Sequence, residues 1–192
     1  MSANHPLFPV TMDAKWLEPS DVEIDSTLMS WLVEPSSLTA RLKANAGHFR
    51  VSVLGQRIES CREEEASADI KAGEQVLVRE VLLYCDDVPH VFARSLLPLN
   101  SLTGEQQGLA NIGDQSLGQI LFNHPNLIRK NIEVASFEQH ASLSVLLSSL
   151  SMPDERKLWG RRSVFVIDNK PMMVAEVFLP EALAYQQAKI SV

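Results

Sequence analysis

Apolar residues recur at the spacing of β-strands in six stretches, and polar turns separate several of them. Residues 76–98 are the clearest case, because two apolar runs meet at the polar pair Asp86-Asp87. A polar pair between two such runs predicts a β-hairpin. A second hairpin is predicted over 157–180, with its turn at 168–170. The two remaining predicted strands span 48–60 and 126–138.

Two segments between these strands carry the spacing of short helices. In 26–47, apolar residues spaced i, i+3, i+4 predict one helix, and a second is predicted from Leu38, after the break at 35–37. In 101–122, a helix, a Gly-Asp turn and a second helix beginning near Ser116 are predicted. Strands joined by short reversals, with two helical hairpins inserted between them, predict an α+β fold. We expect a single antiparallel sheet of about six strands with helices on one face.

The rest of the chain adds three expectations. Residues 1–192 are predicted to form one domain, as a chain of this length allows. Residues 1–25 are rich in Pro, Asp and Glu, so we expect an irregular segment over the surface. The serine-leucine stretch in 139–156 predicts a short amphipathic helix that ends before Pro153.

Composition excludes some classes of protein. With 45% hydrophobic and 21% charged residues, the chain has the profile of an ordinary globular protein. A formal net charge of −7 argues against nonspecific binding to nucleic acid or to an anionic membrane. The sequence shows neither an export signal nor an apolar run of the roughly 18 residues that span a membrane. Cys61 and Cys85 form no motif, which predicts two free thiols in a reducing cytoplasm.

Three charged residues occupy strand faces that are otherwise apolar. Arg79 shares the parity of its apolar neighbours in 76–85, and Arg94 does so in the strand after it. Glu176 stands among apolar residues of the same parity in the last strand. A buried charge needs a partner, so these residues predict either a structural ion pair or a ligand-binding site. Both hypotheses stay open on spacing alone.

The predicted helix starts add a second kind of group. Ser37 precedes Leu38 and Ser116 precedes Leu117, so each serine can cap a helix. The first free backbone amides then belong to Leu38 and Leu117, and such amides suit a carboxylate. Capping alone also explains both serines. Beside two inward arginines and a glutamate, however, the two helix starts make a ligand site a competitive hypothesis.

Other kinds of site find little support. The five histidines show no metal-ligand spacing, so no metal site is expected, and no Gly-rich phosphate loop or nucleophile elbow is present. A basic cluster surrounds Trp159 near the start of the closing hairpin. It is either a solvated strand end or a means of attracting an anionic substrate. Its members are Arg156, Lys157, Arg161 and Arg162.

Several short motifs, taken in order, resemble the chorismate pyruvate-lyase family. They are VLVREVLLYCDD, FARSLLPLNSLTG, SLGQILF, LWGRRS and KPMMVAEVFLP, and the similarity runs from about Trp31 to Tyr185. The resemblance implies an enzyme that splits chorismate into 4-hydroxybenzoate and pyruvate at the entry to bacterial ubiquinone synthesis. It also implies an antiparallel sheet, a buried product cavity, two helical flaps covering it and no metal or organic cofactor.

The resemblance also implies site residues. Arg79 and Glu176 match the family's ligand-contacting arginine and glutamate, and Leu117 matches a leucine of the second flap. Leu38 stands where the family pattern has a methionine. A backbone-amide role tolerates this change, whereas a side-chain packing role would alter the shape of the pocket or the release of product. Arg94 is expected to assist Arg79 in holding the anionic groups of the substrate. The segment 139–156 is longer than the family pattern.

The chemistry of chorismate fits these residues. Chorismate carries two carboxylates, for which arginine is the better bidentate partner. Glu176 is predicted to bond the ring 4-hydroxyl and is a candidate general base. Closing flaps predict slow release of 4-hydroxybenzoate and hence product inhibition. No nucleic-acid partner or stable membrane insertion is expected, and the expected form is a monomer.

A noncatalytic module is the alternative. Ligand-sensing domains of some bacterial repressors are similar to this fold and bind small effectors in the same cavity. The sequence shows no DNA-reading domain with basic helices, and it contains both Arg79 and Glu176. These two observations favour the enzyme.

Overall fold

The computed structural model describes residues 4–186 as one antiparallel sheet with short helices on both faces. The strands are β1 Phe49–Ser60, β2 Gln75–Cys85, β3 Val88–Pro98, β4 Ile128–Arg129, β5 Glu133–Phe137, β6 Leu158–Ile167 and β7 Lys170–Phe178. The α-helices are α1 Ser26–Leu32, α2 Leu38–Ala44, α3 Leu117–Phe122 and α4 Ala141–Ser149. A 3-10 helix, Gly104–Asn111, precedes α3. The predicted α+β class is confirmed.

The strand order is β1-β2-β3-β7-β6-β4, and β5 pairs with the first half of β6. Seven strands replace the predicted six because the predicted strand over 126–138 is interrupted. Arg129 pairs with Phe165, whereas Glu133 pairs with Arg162. The chain thus advances four residues (129 to 133) while β6 moves back three (165 to 162). One extra residue breaks the ladder, as in a bulge, and separates β4 from β5.

Both predicted hairpin turns are present. Asp86 and Asp87 join β2 to β3 with φ angles of 49° and 65°, and Asp168 and Asn169 join β6 to β7 with 49° and 63°. Two consecutive residues with positive φ are typical of the type I′ turn, whose twist matches that of the flanking strands. Asp and Asn tolerate this region better than other non-glycine residues, which explains the polar pairs in the sequence.

Two inserted segments cover one face of the sheet, which we call the flap face. The first flap comprises α1 and α2, and the second comprises residues 104–122. Apolar side chains of the first flap pack on those of β2, β3 and β7. Those of the second flap pack on the opposite end of the same face. Both predicted helical hairpins are therefore observed, although the first helix of the second flap is a 3-10 helix.

The opposite face, which we call the back face, is also covered. Helix α4 packs there through Leu143, Leu146 and Leu147. The N-terminal segment lies on the same face and buries Phe8 and Met12 among the packed side chains. The prediction of helices on one face alone was thus wrong, and the N-terminal segment does more than lie over the surface. The segment has little regular structure, but its apolar residues seal the back of the sheet.

A buried ion cluster joins the N-terminal segment to the back face. Glu80, which is fully buried, accepts hydrogen bonds from the backbone N–H of Val10 at 2.7 Å and from Arg94 at 2.8 Å. Arg94 also donates through two nitrogens to Glu65. Burial alone would lower the pKa of Arg94, but its bonds to Glu65 and Glu80 outweigh this effect and raise it. The buried positive charge of Arg94 is therefore compensated by the carboxylates of the cluster itself.

No helix within residues 4–186 has both the length and the apolar character needed to cross a membrane.

We expect Glu80→Gln to lower the free energy of unfolding by about 3 kcal/mol, because it leaves a buried arginine with one partner fewer. Urea denaturation followed by circular dichroism measures the change. Glu138→Gln is the control, since Glu138 is exposed and lies 3.8 Å from Lys157. Equal stability of the two variants would contradict the importance of the buried cluster.

Candidate active site

A band of polar side chains crosses the flap face between two apolar clusters, and we call it the polar strip. Strand alternation and register bring its members to one face, since Arg79 pairs with Ser95 and Glu176 pairs with Arg161. The apolar side chains on either side pack beneath the two flaps. The strip comprises Arg79, Ser95, Arg129, Arg161, Ser163 and Glu176.

Arg79 is buried on β2 and holds the second flap. Its Nη2 donates to the carbonyl oxygens of Gly113 at 2.6 Å and Gln115 at 3.1 Å. Within residues 4–186, no carboxylate lies within salt-bridge distance of Arg79, and its Nε and Nη1 have no hydrogen-bond acceptor. Burial lowers the pKa of Arg79 to about 10, against the opposing charge of exposed Asp114. An anion placed at Nε and Nη1 would offset this desolvation.

Glu176 lies on β7, two strands from β2 in the sheet. Its Oε2 accepts from Arg161 Nε at 2.7 Å, and its Oε1 has no donor in the described part of the chain. Arg161 Nη1 faces the carbonyl oxygens of Trp31 and Leu32 at the end of α1, and that of Glu34. Arg161 therefore holds the carboxylate and the first flap together.

A third arginine completes the strip at its other end. Arg129 on β4 donates to Ser163 Oγ at 2.8 Å and to the carbonyl oxygen of Glu34 at 2.7 Å. Burial and, after it, the charge of Arg161 lower its pKa to about 10, although Glu176 and Glu34 act in the opposite direction. Among residues 4–186, Arg129 has no carboxylate within salt-bridge distance. It is a cation at the strip without an anionic partner.

The structure corrects the expectation that Arg94 joins Arg79 at a ligand. Arg94 pairs with Glu80 in the ladder between β2 and β3, whereas Arg79 pairs with Ser95, so the two arginines point to opposite faces. Arg94 is saturated by carboxylates on the back face. Glu176 also takes neither of the two predicted arginines as its direct partner. That partner is Arg161.

The two predicted helix starts lie close together. Ser37 accepts from the N–H of Ala40, and Ser116 accepts from the N–H of Gln119, so both serines cap their helices as predicted. The backbone N–H groups of Leu38 and Leu117 have no acceptor in the described chain.

A hydrogen bond of 2.7 Å between Thr39 Oγ1 and Ser116 Oγ joins the two flaps. Lys43 Nζ adds a bond of 2.7 Å to Gln119 Oε1. We call these two bonds the flap latch. Outside the latch lies a groove of about 490 Å³, whose lining includes Asp114 and Ser116. The groove is also lined by Lys43 and Gln119, so the latch lies at its wall beside the start of α3.

One group of residues elsewhere has the composition of a metal site. Glu105, His124 and Asp168 bring one ligand atom each within 4.8 Å of the others near the turn between β6 and β7. Two of the three are exposed, and Asp168 accepts a hydrogen bond from Asn126. Exposed acidic groups commonly meet in this way, so the group receives no assignment.

Comparison with known proteins decides the family. The family model described as chorismate lyase matches residues 10–190. The chain belongs to the chorismate lyase family. A protein of Psychromonas ingrahamii named "probable chorismate pyruvate-lyase" is 42% identical over 82% of this chain and 85% of its own length. One of the same name from Pseudoalteromonas translucida is 38% identical, over 93% of this chain and 98% of its own.

Two solved structures with a similar fold are named as a repressor domain and an effector domain. The C-terminal domain of the histidine utilization repressor from Pseudomonas syringae pv. tomato matches with a TM-score of 0.56 and 14% identity. It covers 76% of this chain and 100% of its own. The effector domain of PhnF from Mycobacterium smegmatis has a TM-score of 0.54 and 16% identity, over 76% and 89%. At such identities the similarity concerns the fold.

Removal of the hydroxyl from the latch is expected to loosen both flaps. Thr39→Val keeps the shape of the side chain but loses a bond worth about 1 kcal/mol, so amide exchange in α2 and α3 should accelerate about fivefold. Hydrogen–deuterium exchange with mass spectrometry measures this. Thr27→Val is the control, because the Thr27 hydroxyl has no partner within residues 4–186. Unchanged exchange in α3 would show that the bond does not hold the flaps together.

Proposed function

We propose that this protein is a chorismate pyruvate-lyase, which converts chorismate into 4-hydroxybenzoate and pyruvate as the first committed step of ubiquinone biosynthesis. The observation that carries the proposal is the polar strip. It offers a buried arginine without a carboxylate, Arg79, on the same face as Glu176. Both residues match the positions that the family resemblance assigns to ligand contact. Membership of the family supports the same reaction.

The reaction is an elimination that makes the ring aromatic. A base removes the proton at C4 of the ring, the C–H electrons form the C3–C4 double bond, and the C3–O bond breaks. The oxygen leaves as enolpyruvate, which takes up a proton at its methylene carbon and becomes pyruvate. The protein therefore has to orient a dianion, accept or relay a proton and stabilise the charge on the leaving oxygen.

Arg79 is proposed to hold the ring carboxylate. Its Nε and Nη1 are available for two parallel hydrogen bonds, the geometry that suits a carboxylate. Its Nη2 already holds the chain just before Ser116, which places Arg79 beside the start of α3. The N–H groups of Leu117 and Leu38 are proposed to complete the binding site. For Leu38, this role needs only the backbone and so tolerates the departure from methionine.

Glu176 is proposed to bond the ring 4-hydroxyl through Oε1, because Oε2 is taken by Arg161. The guanidinium of Arg161 fixes the orientation of the carboxylate. A role as the general base is part of the proposal. It requires that this half-buried carboxylate accept the proton from C4 of the ring in the transition state.

The flap latch supports slow release of the aromatic product. Opening the site requires loss of the bond between Thr39 and Ser116 and of the bond between Lys43 and Gln119. Lid opening limits turnover in many enzymes. We therefore propose that 4-hydroxybenzoate stays bound between the polar strip and the flaps and inhibits the enzyme.

We also propose that the protein acts as a cytoplasmic monomer without a metal or organic cofactor. Cys61 and Cys85 are free thiols, as suits a reducing compartment, and burial raises the pKa of both to about 11, which makes them poor nucleophiles. One chain supplies every residue named for the site, so the proposed chemistry needs no second copy.

A sensing domain that binds an aromatic carboxylate without turnover is the second candidate, favoured by the fold similarity to the regulator domains. Incubation of the purified protein with chorismate, followed by chromatography, separates the two. Formation of 4-hydroxybenzoate and pyruvate in equal amounts supports the lyase. Binding without turnover supports the sensor.

If Glu176 is the base, Glu176→Gln should lower kcat roughly 100-fold or more, because an amide cannot accept the proton. Steady-state assay of 4-hydroxybenzoate formation measures the effect. Glu133→Gln is the matched control, since Glu133 pairs with Arg162 rather than with a residue of the strip. Normal turnover by Glu176→Gln would exclude the base role.

Arg79→Lys keeps the charge but loses the planar fork, so both chorismate and 4-hydroxybenzoate should bind roughly tenfold more weakly. KM for chorismate and calorimetric Kd for 4-hydroxybenzoate measure the two affinities. Arg57→Lys, at an exposed position of β1, serves as the control. Wild-type affinities in Arg79→Lys would rule out bidentate binding.

A further inference from the structure

Two arginines of the polar strip lack a carboxylate partner within the described residues, and they lie far apart on the sheet. Arg79 is on β2, and Arg129 is on β4 at the opposite edge. Between them lie Glu176 on β7 and Arg161 on β6, which already form an ion pair. The strip therefore presents a cation at each end and a hydrogen-bond acceptor between the two cations.

The guanidinium of Arg129 is only partly occupied by hydrogen bonds within the described residues. Its Nε bonds Ser163 and its Nη1 bonds the carbonyl oxygen of Glu34, whereas its Nη2 has no acceptor in the range 4–186. Its guanidinium also lies over the ring of Phe165, 5.4 Å from the centroid. These contacts fix the plane of the guanidinium and leave one edge able to donate. The arrangement is that of a preorganised anion-binding group.

The order of groups across the strip matches the order of groups along chorismate. The ring carboxylate lies at one end of the molecule, the 4-hydroxyl at the other end of the ring, and the enolpyruvyl carboxylate beyond the neighbouring ether oxygen. If Arg79 binds the first and Glu176 the second, the ether at the neighbouring carbon brings the third near Glu176, where Arg129 is the remaining arginine of the strip without a carboxylate partner in the described residues. We propose that Arg129 binds the enolpyruvyl carboxylate of chorismate, an assignment that rests on the proposed lyase function.

The charge of the strip agrees with this assignment. Three guanidinium groups, those of Arg79, Arg129 and Arg161, face one carboxylate, that of Glu176. The nearby side chain of Glu34 is occupied by Arg41 at 3.0 Å, and Asp114 is exposed beside the outer groove. The excess of two positive charges suits a dianionic substrate better than a monoanionic product.

Arg129 should therefore distinguish substrate from product. 4-Hydroxybenzoate has no enolpyruvyl group, so it keeps its contacts with Arg79 and Glu176 and makes none with Arg129. A purely structural Arg129, which holds the first flap through Glu34, would instead affect both ligands alike. This difference separates substrate recognition from support of the fold.

The test compares Arg129→Gln with the wild type in two measurements. We expect kcat/KM for chorismate to fall roughly 10- to 100-fold, the effect of losing one charge-assisted contact. The calorimetric Kd for 4-hydroxybenzoate should rise no further than it does when the first flap alone is loosened, as in Arg41→Gln. Arg129→Lys, which retains the charge, should restore part of kcat/KM.

Arg41→Gln is the matched control. Arg41 bonds the backbone of Ser30 and the side chain of Glu34, so its loss loosens the first flap without removing a charge from the strip. Parallel loss of affinity for both ligands in Arg129→Gln, or no change in either, would overturn the assignment. Failure of the wild type to convert chorismate would instead refute the lyase function. A preference for chorismate over 4-hydroxybenzoate in wild-type binding, lost in Arg129→Gln, would still support the anion site.

Discussion

The bonds between strip arginines and flap carbonyl groups determine how the flaps sit on the sheet. Arg79 donates to Gly113 and Gln115 in the second flap, whereas Arg161 and Arg129 donate to the first. Each guanidinium thus donates to backbone carbonyl oxygens in the connections next to the short flap helices. The same side chains are the cations proposed to bind the substrate. Anchoring of the flaps and recognition of the ligand therefore use one set of groups.

Buried arginines on the two faces of the sheet have different partners. On the back face, Arg94 is surrounded by Glu65 and Glu80, and the N–H of Val10 completes the cluster. On the flap face, Arg79 and Arg129 have carbonyl or hydroxyl partners but no carboxylate in the described residues. A buried cation with matched anions is already compensated, whereas one without them can accept an anionic ligand. This contrast distinguishes Arg94, which has a structural role, from Arg79 and Arg129, which we propose to bind the substrate.

Sequence patterns predicted the strands, the two polar turns and both inserted helical hairpins, because these depend on local spacing. They could not place Arg94, since both faces of this sheet are apolar and parity within one strand does not say which face a residue joins. Register between β2 and β3 decides that. Arg161 was predicted only as part of a basic cluster, although alternation with Ser163 and Phe165 would have placed it on an apolar face. Arg129 gave no such signal, because an extra residue interrupts its strand.

The anchoring carbonyl groups also have a thermodynamic consequence. A ligand that orders the guanidinium groups favours the closed arrangement of the flaps, and closure in turn raises affinity for the ligand. By linkage, the factor by which closure tightens binding equals the factor by which binding favours closure. Contacts that lie wholly outside the site, such as Lys43 with Gln119, are thereby coupled to affinity. The affinity for the product that we propose for this site is then a property of the whole flap interface.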